Sequence, residues 1–512
     1  MTLLIAGMLV LGIAPTLVTA PVDPRTIDVP ANGDLQAALD AARPGDVVAL
    51  APGAIYTGNF VLPASAGDGP ITLRTGGEPA VGADVRMTPA RAASLAKLQS
   101  PNRQPVLRTA PGAHQWQLVL LEFRGNANGV GDILLLGDGS SRQRNADNIP
   151  RGLVVDRCYI HGDRQVGQKR GIALNSANTA IRNSYISDIK SRGQDSQAIA
   201  GWNGPGPYTI ENNYLEAAGE NILFGGADPA VSGLVPSDIV IRHNQLTKPE
   251  EWRQQGWVVK NDLELKNARR VLVEENLIEY SWVDGQAGYA VLFTPRNQDG
   301  ACTWCTVEDV TFRRNLVRHA GGGVSITGSD DVHPSGPARR LRIEGNLFYD
   351  IDNRWGGRGM FLLVGNGPTD VKVLHNTVIQ GGNIVEAYGG SKRQPQPILG
   401  FEFRDNLVLN NKYGVHGSDR ASGLDTLDVY FPGSAFATNG IGGGNAKLYP
   451  PSNQIVPRQE FLSQFVDPAN GNYGLKPGSR FAGAASDGSD LGADVQAVYG
   501  AIGLRPRPAS TR

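Results

Sequence analysis

One short pattern of apolar and polar positions recurs along most of this chain: apolar, any, apolar, any, any, Asn, any, apolar. Val271-Leu-Val-Glu-Glu-Asn-Leu-Ile278 is one copy. The asparagines of the copies are Asn213, Asn244, Asn276, Asn315, Asn346, Asn376 and Asn406, with Cys158 and Ser184 in the same place in two earlier copies. Successive copies are separated by 26, 29, 31, 32, 39, 31, 30 and 30 residues. Such a period is typical of a repeat architecture in which each unit stacks on the next.

Each period holds about three short strands, and the asparagine lies at the corner between the first two. Asparagine suits a corner because it tolerates a left-handed backbone and its amide bonds nearby backbone groups. Amides from successive coils then stack as a ladder about 4.8 Å apart. This predicts a parallel β-helix, in which each coil buries its apolar face on its neighbours. The rival is a β-propeller, whose blades need periods of about 40–50 residues.

A second set of short apolar segments follows the asparagine corners and is predicted to stack into one long parallel sheet. These segments are residues 172–174, 198–200, 222–224, 263–265, 291–293, 324–326, 361–363, 384–386 and 413–416. Because side chains alternate along a strand, the apolar positions indicate which neighbours point outward. The chain is therefore predicted to be all-β, with a long outward face along this sheet.

The ends of the chain complete the predicted architecture. Residues 1–20 resemble a secretory signal peptide, which predicts a secreted or periplasmic protein. Residues 27–417 are predicted to form a single parallel β-helix of about 10–12 coils, with an amphipathic capping helix near residue 34. Residues 418–503 are predicted to be a loop-rich C-terminal segment and cap, and residues 504–512 a tail.

Composition sharpens this picture. The chain has 512 residues and 65 glycines. Length alone suggests three or more domains, whereas the period makes the chain one solenoid with glycine as turn material. The net charge of −1 gives no basic excess for nucleic acid, so an acidic ligand must be met by local charge. After the signal segment no other run reaches the roughly 18 apolar residues of a membrane span, and a monomer is expected.

The cysteines predict a local cross-link. Cys302 and Cys305 form a CxxC pair, and Cys158 is the third cysteine. A zinc site needs a second pair or a neighbouring histidine, and a redox site needs a thioredoxin-like context. A loop disulfide between Cys302 and Cys305 is therefore the favoured interpretation.

One charged strand interrupts the apolar and small-residue face of the predicted sheet. In residues 261–267 the two leucines are predicted to point inward, so that Asp262, Glu264 and Lys266 point outward together. Three like-facing ionisable groups are unusual on this face. The same strand offers a plain alternative, a solvated sheet surface on which opposite charges pair across strands.

Neighbouring coils add to this group. Matching Ile222 to Leu263 places Asn221 beside Asp262, and Arg296 follows the strand of the next coil. Candidate substrate-binding residues flank the group and are Lys260, Trp202, Asn297 and His333. The sequence thus predicts a cluster of charged and polar side chains within about two coils.

These residue types suit the β-elimination of a uronic-acid polysaccharide. The substrate carboxylate must be neutralised, a base must remove the neighbouring proton, and an acid must assist the leaving oxygen. Calcium held by Asn221, Asp262 and Glu264 suits the first task. Lys266 suits the second, and Arg296 suits carboxylate binding or the third. Glu264 is therefore a candidate both for the metal site and for catalysis.

Several segments together resemble the secreted right-handed β-helix proteins of the pectate-lyase-like superfamily. They are the capping helix, residues 45–50, the Asn corners and the closing residues 475–479 and 491–493. The site layout is similar to that of the alginate lyase and chondroitinase B family. The resemblance implies calcium at Asn221, Asp262 and Glu264, although this chain has Asp plus Glu where that family has two Glu. It also implies catalysis by Lys266 and Arg296.

The functional hypothesis is a polysaccharide lyase acting on an acidic polysaccharide or oligosaccharide. Two alternatives stay open. One is a non-catalytic glycan-binding or surface protein on the same fold. The other is a glycoside hydrolase, in which two carboxyl groups serve as acid and base.

Overall fold

The computed structural model describes residues 25–65, 67–79 and 81–505. The predicted signal peptide and most of the predicted tail lie outside these residues. In the described part, most strands belong to three long sheets that are parallel throughout. We number them sheet 1, sheet 2 and sheet 3, in the order in which each coil visits them.

Sheet 1 contains Thr26–Val29, Val47–Leu50, Ile71–Thr75, Trp116–Val119, Arg151–Asp156, Ala177–Arg182, Tyr208–Glu211, Ser237–Arg242, Ala268–Glu274, Val307–Arg313, Ala338–Glu344, Thr369–Leu374, Glu402–Arg404 and Ala435–Ala437. Sheet 2 contains Ile55–Thr57, Ala96–Gln99, Leu121–Arg124, Tyr159–His161, Tyr185–Ile189, Tyr214–Ala217, Gln245–Thr247, Leu277–Ser281, Leu316–Ala320, Leu347–Ile351, Thr377–Gln380, Leu407–Leu409, Gly440–Gly442 and Gln454–Val456. Sheet 3 contains Phe60–Leu62, Leu107–Thr109, Asp132–Leu136, Arg170–Leu174, Gln197–Gly201, Glu220–Phe224, Leu263–Leu265, Tyr289–Phe293, Gly322–Thr327, Met360–Gly365, Val385–Tyr388 and Val415–Gly417.

The remaining elements are short. The α-helices are Leu35–Ala41, Leu424–Tyr430, Arg458–Ser463 and Val495–Ala501, and an antiparallel pair joins Phe465–Asp467 to Asn472–Leu475. The 3-10 helices are Pro89–Ser94, Ser141–Gln143, Ala146–Asn148, Glu250–Gln254, Asn353–Trp355, Ala446–Leu448 and Pro468–Asn470. In the described residues, no helix is both long enough and apolar enough to span a membrane.

The prediction of an all-β, right-handed parallel β-helix is confirmed. The described residues hold 12 strands in sheet 3, one for each complete coil. The inward side chains of all three sheets form one continuous apolar core along the axis. A solenoid of this kind is stable because every coil covers the apolar face of the next.

The asparagine ladder is also present. From Asn213 to Asn453, the Nδ2 of each ladder asparagine donates to the Oδ1 of the next, at 2.8–3.1 Å. Each Oδ1 also accepts from the backbone N–H of the preceding asparagine, as at Asn315, which accepts from Asn276 at 3.0 Å. Ser184 continues the ladder at its start, because its Oγ accepts from the N–H of Cys158 at 3.1 Å. The ladder thus satisfies polar groups that the corners bury.

One detail of the corner prediction is wrong. The left-handed residue is the one before the ladder asparagine, as at Asn212, His243 and Glu275, whose φ angles are 53°, 54° and 59°. Left-handed backbone is costly for most L-residues and is taken by single residues at turns. The asparagine itself keeps an ordinary backbone, which leaves its side chain pointing into the ladder.

Both ends of the apolar core are covered by local segments. Asp34 caps the first helix by accepting from the N–H of Ala37 at 3.0 Å, and Leu35 and Leu39 of that helix belong to the core. At the other end, sheets 1 and 2 continue beyond residue 417 as far as Val456. The segment expected to be loop-rich therefore adds strands to the solenoid.

The last part of the chain turns back along sheet 2. Outward-facing leucines of sheet 2 pack against apolar side chains of this segment, in a cluster that contains Leu277, Leu316, Leu347, Leu407, Phe461, Phe465, Phe481, Leu491 and Val498. The backbone oxygen of Ala501 lies 3.3 Å from Nδ1 of His243, several coils before the end of the solenoid. The returning segment therefore covers the outside of sheet 2 and leaves sheet 3 to carry an open face.

Candidate active site on sheet 3

The charged strand lies in the middle of sheet 3. Leu263 pairs with Ile222 on one side and Val291 on the other, in the register that the sequence predicts, and all three side chains are in the core. Glu264 pairs with Leu223 on the outward face. A single carboxylate is thereby set among small and apolar outward neighbours.

A groove of about 680 Å³ lies on this face. It is lined by Lys169, Arg170, Gln194, Asp195, Gln197, Ala200, Trp202, Glu220, Leu223, Gly225, Gly226, Ala227, Lys260, Lys266 and Gln298. The lining holds four cationic side chains and two carboxyl groups. A concave surface with excess positive charge concentrates anions near it. The predicted residues Lys260, Lys266 and Trp202 all belong to this groove.

Lys266 and Glu264 contact each other beside the groove. The Nζ of Lys266 lies 3.4 Å from Oε1 of Glu264, and the Lys266 side chain is 13% exposed. The other carboxylate oxygen of Glu264 accepts from Nδ2 of Asn261 at 3.2 Å. The Lys266 side chain is therefore partly open to solvent, while a hydrogen bond from Asn261 holds its partner Glu264 in place.

Glu220 is the second carboxyl group of the groove and is almost fully buried. Its Oε2 accepts from Nε2 of Gln197 at 2.9 Å, and its Oε1 has no hydrogen-bond partner among the described residues. Burial, and then the charge of Glu264, raise the pKa of Glu220 well above its usual value. A carboxyl group of this kind holds its proton to a higher pH and can act as an acid.

Lys260 stays a cation in the groove. Its Nζ contacts Asp195 and lies 3.6 Å from Oε1 of Glu220. Burial lowers the pKa of Lys260, but the nearby carboxylates of Glu220 and Asp195 raise it above its usual value overall. Lys260 is therefore suited to binding an anionic group rather than to removing a proton.

Arg170 is a groove residue that the sequence prediction missed. Its guanidinium donates to Asp132 at 2.8 Å and lies 5.0 Å from the ring centre of Trp202. Arg170, Gln197 and Glu220 occupy one outward row, because their strands pair in register. Each stands two positions before an inward isoleucine, where strict alternation predicts an inward side chain, so the apolar pattern did not indicate this outward row.

Asp262 does not point outward as predicted. It is fully buried, and its Oδ1 accepts from Nζ of Lys248 at 2.8 Å. The physical reason is a local irregularity, since the N–H groups of Asn221 and Ile222 both donate to the backbone oxygen of Asp262, each at 3.1 Å. Two residues of one strand thus pair with a single residue of the next, as in a β-bulge, and this breaks the strict alternation of side chains.

Asn221 joins Asp262 as predicted, but a lysine lies between them. The Oδ1 of Asn221 accepts from the same Nζ of Lys248 at 2.8 Å. Glu264 contacts Lys266 on the outward side instead. As placed here, the three predicted calcium ligands do not fit one calcium ion, because two of them surround an ammonium group.

Arg296 adjoins Lys266 through the backbone, and its side chain turns away. Its N–H donates to the backbone oxygen of Lys266 at 2.9 Å, while its guanidinium donates to Asp330 at 2.7 Å and also contacts Asp331. Burial lowers the pKa of Arg296, but the bonds to these two carboxylates raise it above its usual value overall. Arg296 thus stabilises the loop beside the groove.

Asn297 and His333 lie in the same loop region. Asn297 donates through Nδ2 to the backbone oxygen of Pro334 at 2.7 Å and accepts at Oδ1 from the N–H of Cys302 at 2.7 Å. His333 is half-buried. Gln298 of this loop lines the groove. Asn297 and His333 are not among the described residues that line it.

The predicted disulfide between Cys302 and Cys305 is present. It cross-links residues that follow Gln298 in this loop, and Asp228 from an earlier coil accepts from the N–H groups of Asp299 and Ala301 at 3.1 and 2.8 Å. The cross-link and this carboxylate together hold one wall of the groove.

Comparison with solved structures agrees with this architecture. A mannuronic-acid-specific polysaccharide lyase of family 6 from human gut microbiota superposes with a TM-score of 0.52 at 15% identity, covering 88% of this chain and 96% of that chain. The family 6 alginate lyase AlyGC superposes with a TM-score of 0.58 at 13% identity, covering 94% of this chain and 58% of that chain. At these identities the likeness establishes the fold. No family model and no curated protein sequence matches this chain.

Proposed function

We propose that this chain is a polysaccharide lyase that binds a uronic-acid polysaccharide along sheet 3 and cleaves it by β-elimination. The observation that supports the proposal is the groove itself, in which Lys266 and Lys260 lie close to the buried carboxyl group of Glu220. The net charge of the whole chain is −1, so this cationic groove is a local feature. An acidic polymer is the ligand that such a local charge favours.

Substrate binding falls to the cations and the indole of the groove. Lys260 and Arg170 bind the substrate carboxylates, since both side chains carry positive charge at the groove surface. Trp202 lines the groove beside Arg170, whose guanidinium lies 5.0 Å from the ring centre, and the part of the indole that remains open to the groove offers an apolar contact to a sugar. Neutralising the carboxylate makes the neighbouring C–H bond more acidic, which prepares the elimination.

The chemical step divides between Lys266 and Glu220. Lys266, as the neutral amine, removes the proton from the carbon next to the substrate carboxylate. The electron pair of the broken C–H bond becomes the new carbon–carbon double bond. The bond from the next carbon to the glycosidic oxygen breaks, and the oxygen takes the proton of Glu220. Lys266 ends as an ammonium and Glu220 as a carboxylate, and proton exchange with water restores both. Glu264, at 3.4 Å, stabilises the ammonium.

The choice of polymer and the place of action belong to the same proposal. Two structures of similar fold are a mannuronic-acid-specific lyase and an alginate lyase, which makes alginate the first polymer to test. Residues 1–20 would direct export, and a polymer of this size is met outside the cytoplasm.

A second candidate function is hydrolysis of a glycosidic bond. The observation that favours it is the proximity of two carboxyl groups, Glu220 and Glu264, of which Glu220 has its pKa raised by burial and by the charge of Glu264. Unequal pKa values allow one carboxyl group to act as acid while the other acts as base or nucleophile.

The test is to incubate the purified chain with alginate, pectate and glycosaminoglycans and to follow ultraviolet absorbance together with reducing ends. A lyase produces both signals, because each cut leaves an unsaturated uronate that absorbs. Reducing ends without absorbance would identify the hydrolase instead. Binding without any new chain ends would identify a non-catalytic glycan-binding protein and would overturn both enzymatic proposals.

A further inference from the structure

Lys248 lies inside the solenoid, directly after the sheet 2 strand Gln245–Thr247, and none of it is exposed. Its Nζ donates to Oδ1 of Asn221 at 2.8 Å, to Oδ1 of Asp262 at 2.8 Å and to the backbone oxygen of Asn261 at 3.1 Å. An ammonium group has three donors. All three are therefore used within the protein interior.

These contacts tie together the chain segments that carry the groove carboxyl groups. Asn221 follows Glu220 directly, and its Nδ2 donates to the backbone oxygen of Thr247 at 2.9 Å. Asn261, whose backbone oxygen accepts from Lys248, donates through Nδ2 to Glu264 at 3.2 Å. The lysine thus lies beneath the strand starts from which Glu220 and Glu264 face outward.

The three oxygens around Lys248 are an amide, a carboxylate and a backbone carbonyl. This is a donor set that divalent cations such as calcium also use. The second oxygen of Asp262 is buried and finds no hydrogen-bond partner in the described part of the chain. Burying the Asp262 carboxylate is costly, and a nearby positive charge offsets this cost.

We infer that the ammonium of Lys248 is the resident cation of this corner and takes the place that a metal ion would otherwise hold. The groove is then assembled without metal, and Asn221 and Asp262 serve an internal charge. The inference goes beyond the proposed function and does not depend on it, because it concerns what holds the coil together.

The direct test is chemical rescue of Lys248→Ala, measured as the melting temperature. Removing the side chain leaves space and three oxygens, so methylammonium is expected to restore at least half of the lost melting temperature. Tetramethylammonium, which has no N–H donor, should not. Lys248→Ala with Asp262→Ala should gain nothing from methylammonium, and the wild-type melting temperature should be unchanged by methylammonium, calcium or EDTA.

A second comparison covers the case in which Lys248→Ala does not fold. Lys248→Met leaves Asp262 buried without its cation, whereas Lys248→Met with Asp262→Asn removes both charges. The double variant is therefore expected to melt at a higher temperature than Lys248→Met alone. The inference is overturned if methylammonium fails to rescue a folded Lys248→Ala variant, if the double variant melts no higher than Lys248→Met, or if calcium raises and EDTA lowers the wild-type melting temperature.

Discussion

The amino group of Lys266 lies 3.4 Å from the carboxylate of Glu264 on the outward face of sheet 3. Two residues before Glu264, the carboxylate of Asp262 turns inward to Lys248. Residues 262–266 therefore supply both members of the groove pair but only the carboxylate of the interior pair, whose lysine follows the sheet 2 strand Gln245–Thr247. The proposed chemistry uses the outward pair, and the inward pair supports it.

Replacing Lys266 with alanine is expected to lower kcat on a uronate polymer by about 10²–10⁴-fold, the usual contribution of a general base. The measurement is the initial rate of unsaturated product, with circular dichroism to establish that the fold is intact. Lys372→Ala is the matched control, because Lys372 pairs with Glu402 on sheet 1, away from the groove. Equal rates for Lys266→Ala and Lys372→Ala would contradict a catalytic role for Lys266.

Trp202→Ala is expected to raise KM by roughly 3- to 10-fold with little change in kcat, since a ring contact contributes about 0.5–1.5 kcal/mol. The indole also donates through Nε1 to the backbone oxygen of Gly139 at 2.9 Å. Trp202→Phe keeps a ring but loses this hydrogen bond, and so separates the two effects. A fall in kcat at constant KM would contradict a binding role for Trp202.

Glu220→Gln is expected to change stability in a pH-dependent way. The folded-state pKa of Glu220 is raised above the usual 4.5, so the folded chain binds this proton more tightly than the unfolded chain does. The wild type therefore loses stability relative to Glu220→Gln as pH rises from about 4.5 through the raised pKa. Below that window the two should melt alike. The measurement is the melting temperature of both across this range.

Glu402→Gln is the control of opposite sign. Hydrogen bonds from Lys372 and Arg404 hold the pKa of Glu402 below its usual value, although burial opposes them. Glu402→Gln should therefore be less stable than the wild type at neutral pH, and the difference should shrink as pH falls through the lowered pKa. The same sign for both variants would refute the assignment of Glu220 as a carboxyl group with a raised pKa.

Asn315→Ala is expected to destabilise the middle of the solenoid. It removes the acceptor for both the N–H and Nδ2 of Asn276 and the donor to the backbone oxygen of Val273. Each buried group left without a partner costs roughly 1–3 kcal/mol. Asn315→Ser should be intermediate, because Ser184 already serves in the ladder at an earlier corner. Thermal melts give the order, and an alanine variant as stable as the wild type would contradict the ladder's role.

Much of the fold was predictable because each coil of a repeat protein pairs with the coils before and after it. With a period near 30 residues, the neighbouring coil is known once the corners are aligned, and matching the apolar segments that follow the corners pairs Ile222 with Leu263. The ladder follows from the recurring asparagines in the same way. The conformation of the residue before each asparagine did not follow, because the pattern constrains that position only weakly.

The site was predictable only in part. Lys260, Lys266 and Trp202 do line one groove, whereas Arg296 is bound by Asp330 and Asp331 beside it. The contribution of Lys248 was not predictable, since it belongs to no repeated motif.

The sequence by itself determined the solenoid, its core, its ladder and the strand that carries the charges. Alternation of side chains and turn preference are local properties of the backbone, and a repeat multiplies them coil after coil. Only the tertiary structure decided which charges face the groove and which face the interior. That choice depends on the irregular pairing at Asp262 and on an ammonium 14 residues away, whose burial is favourable only where oxygens from separate segments meet it.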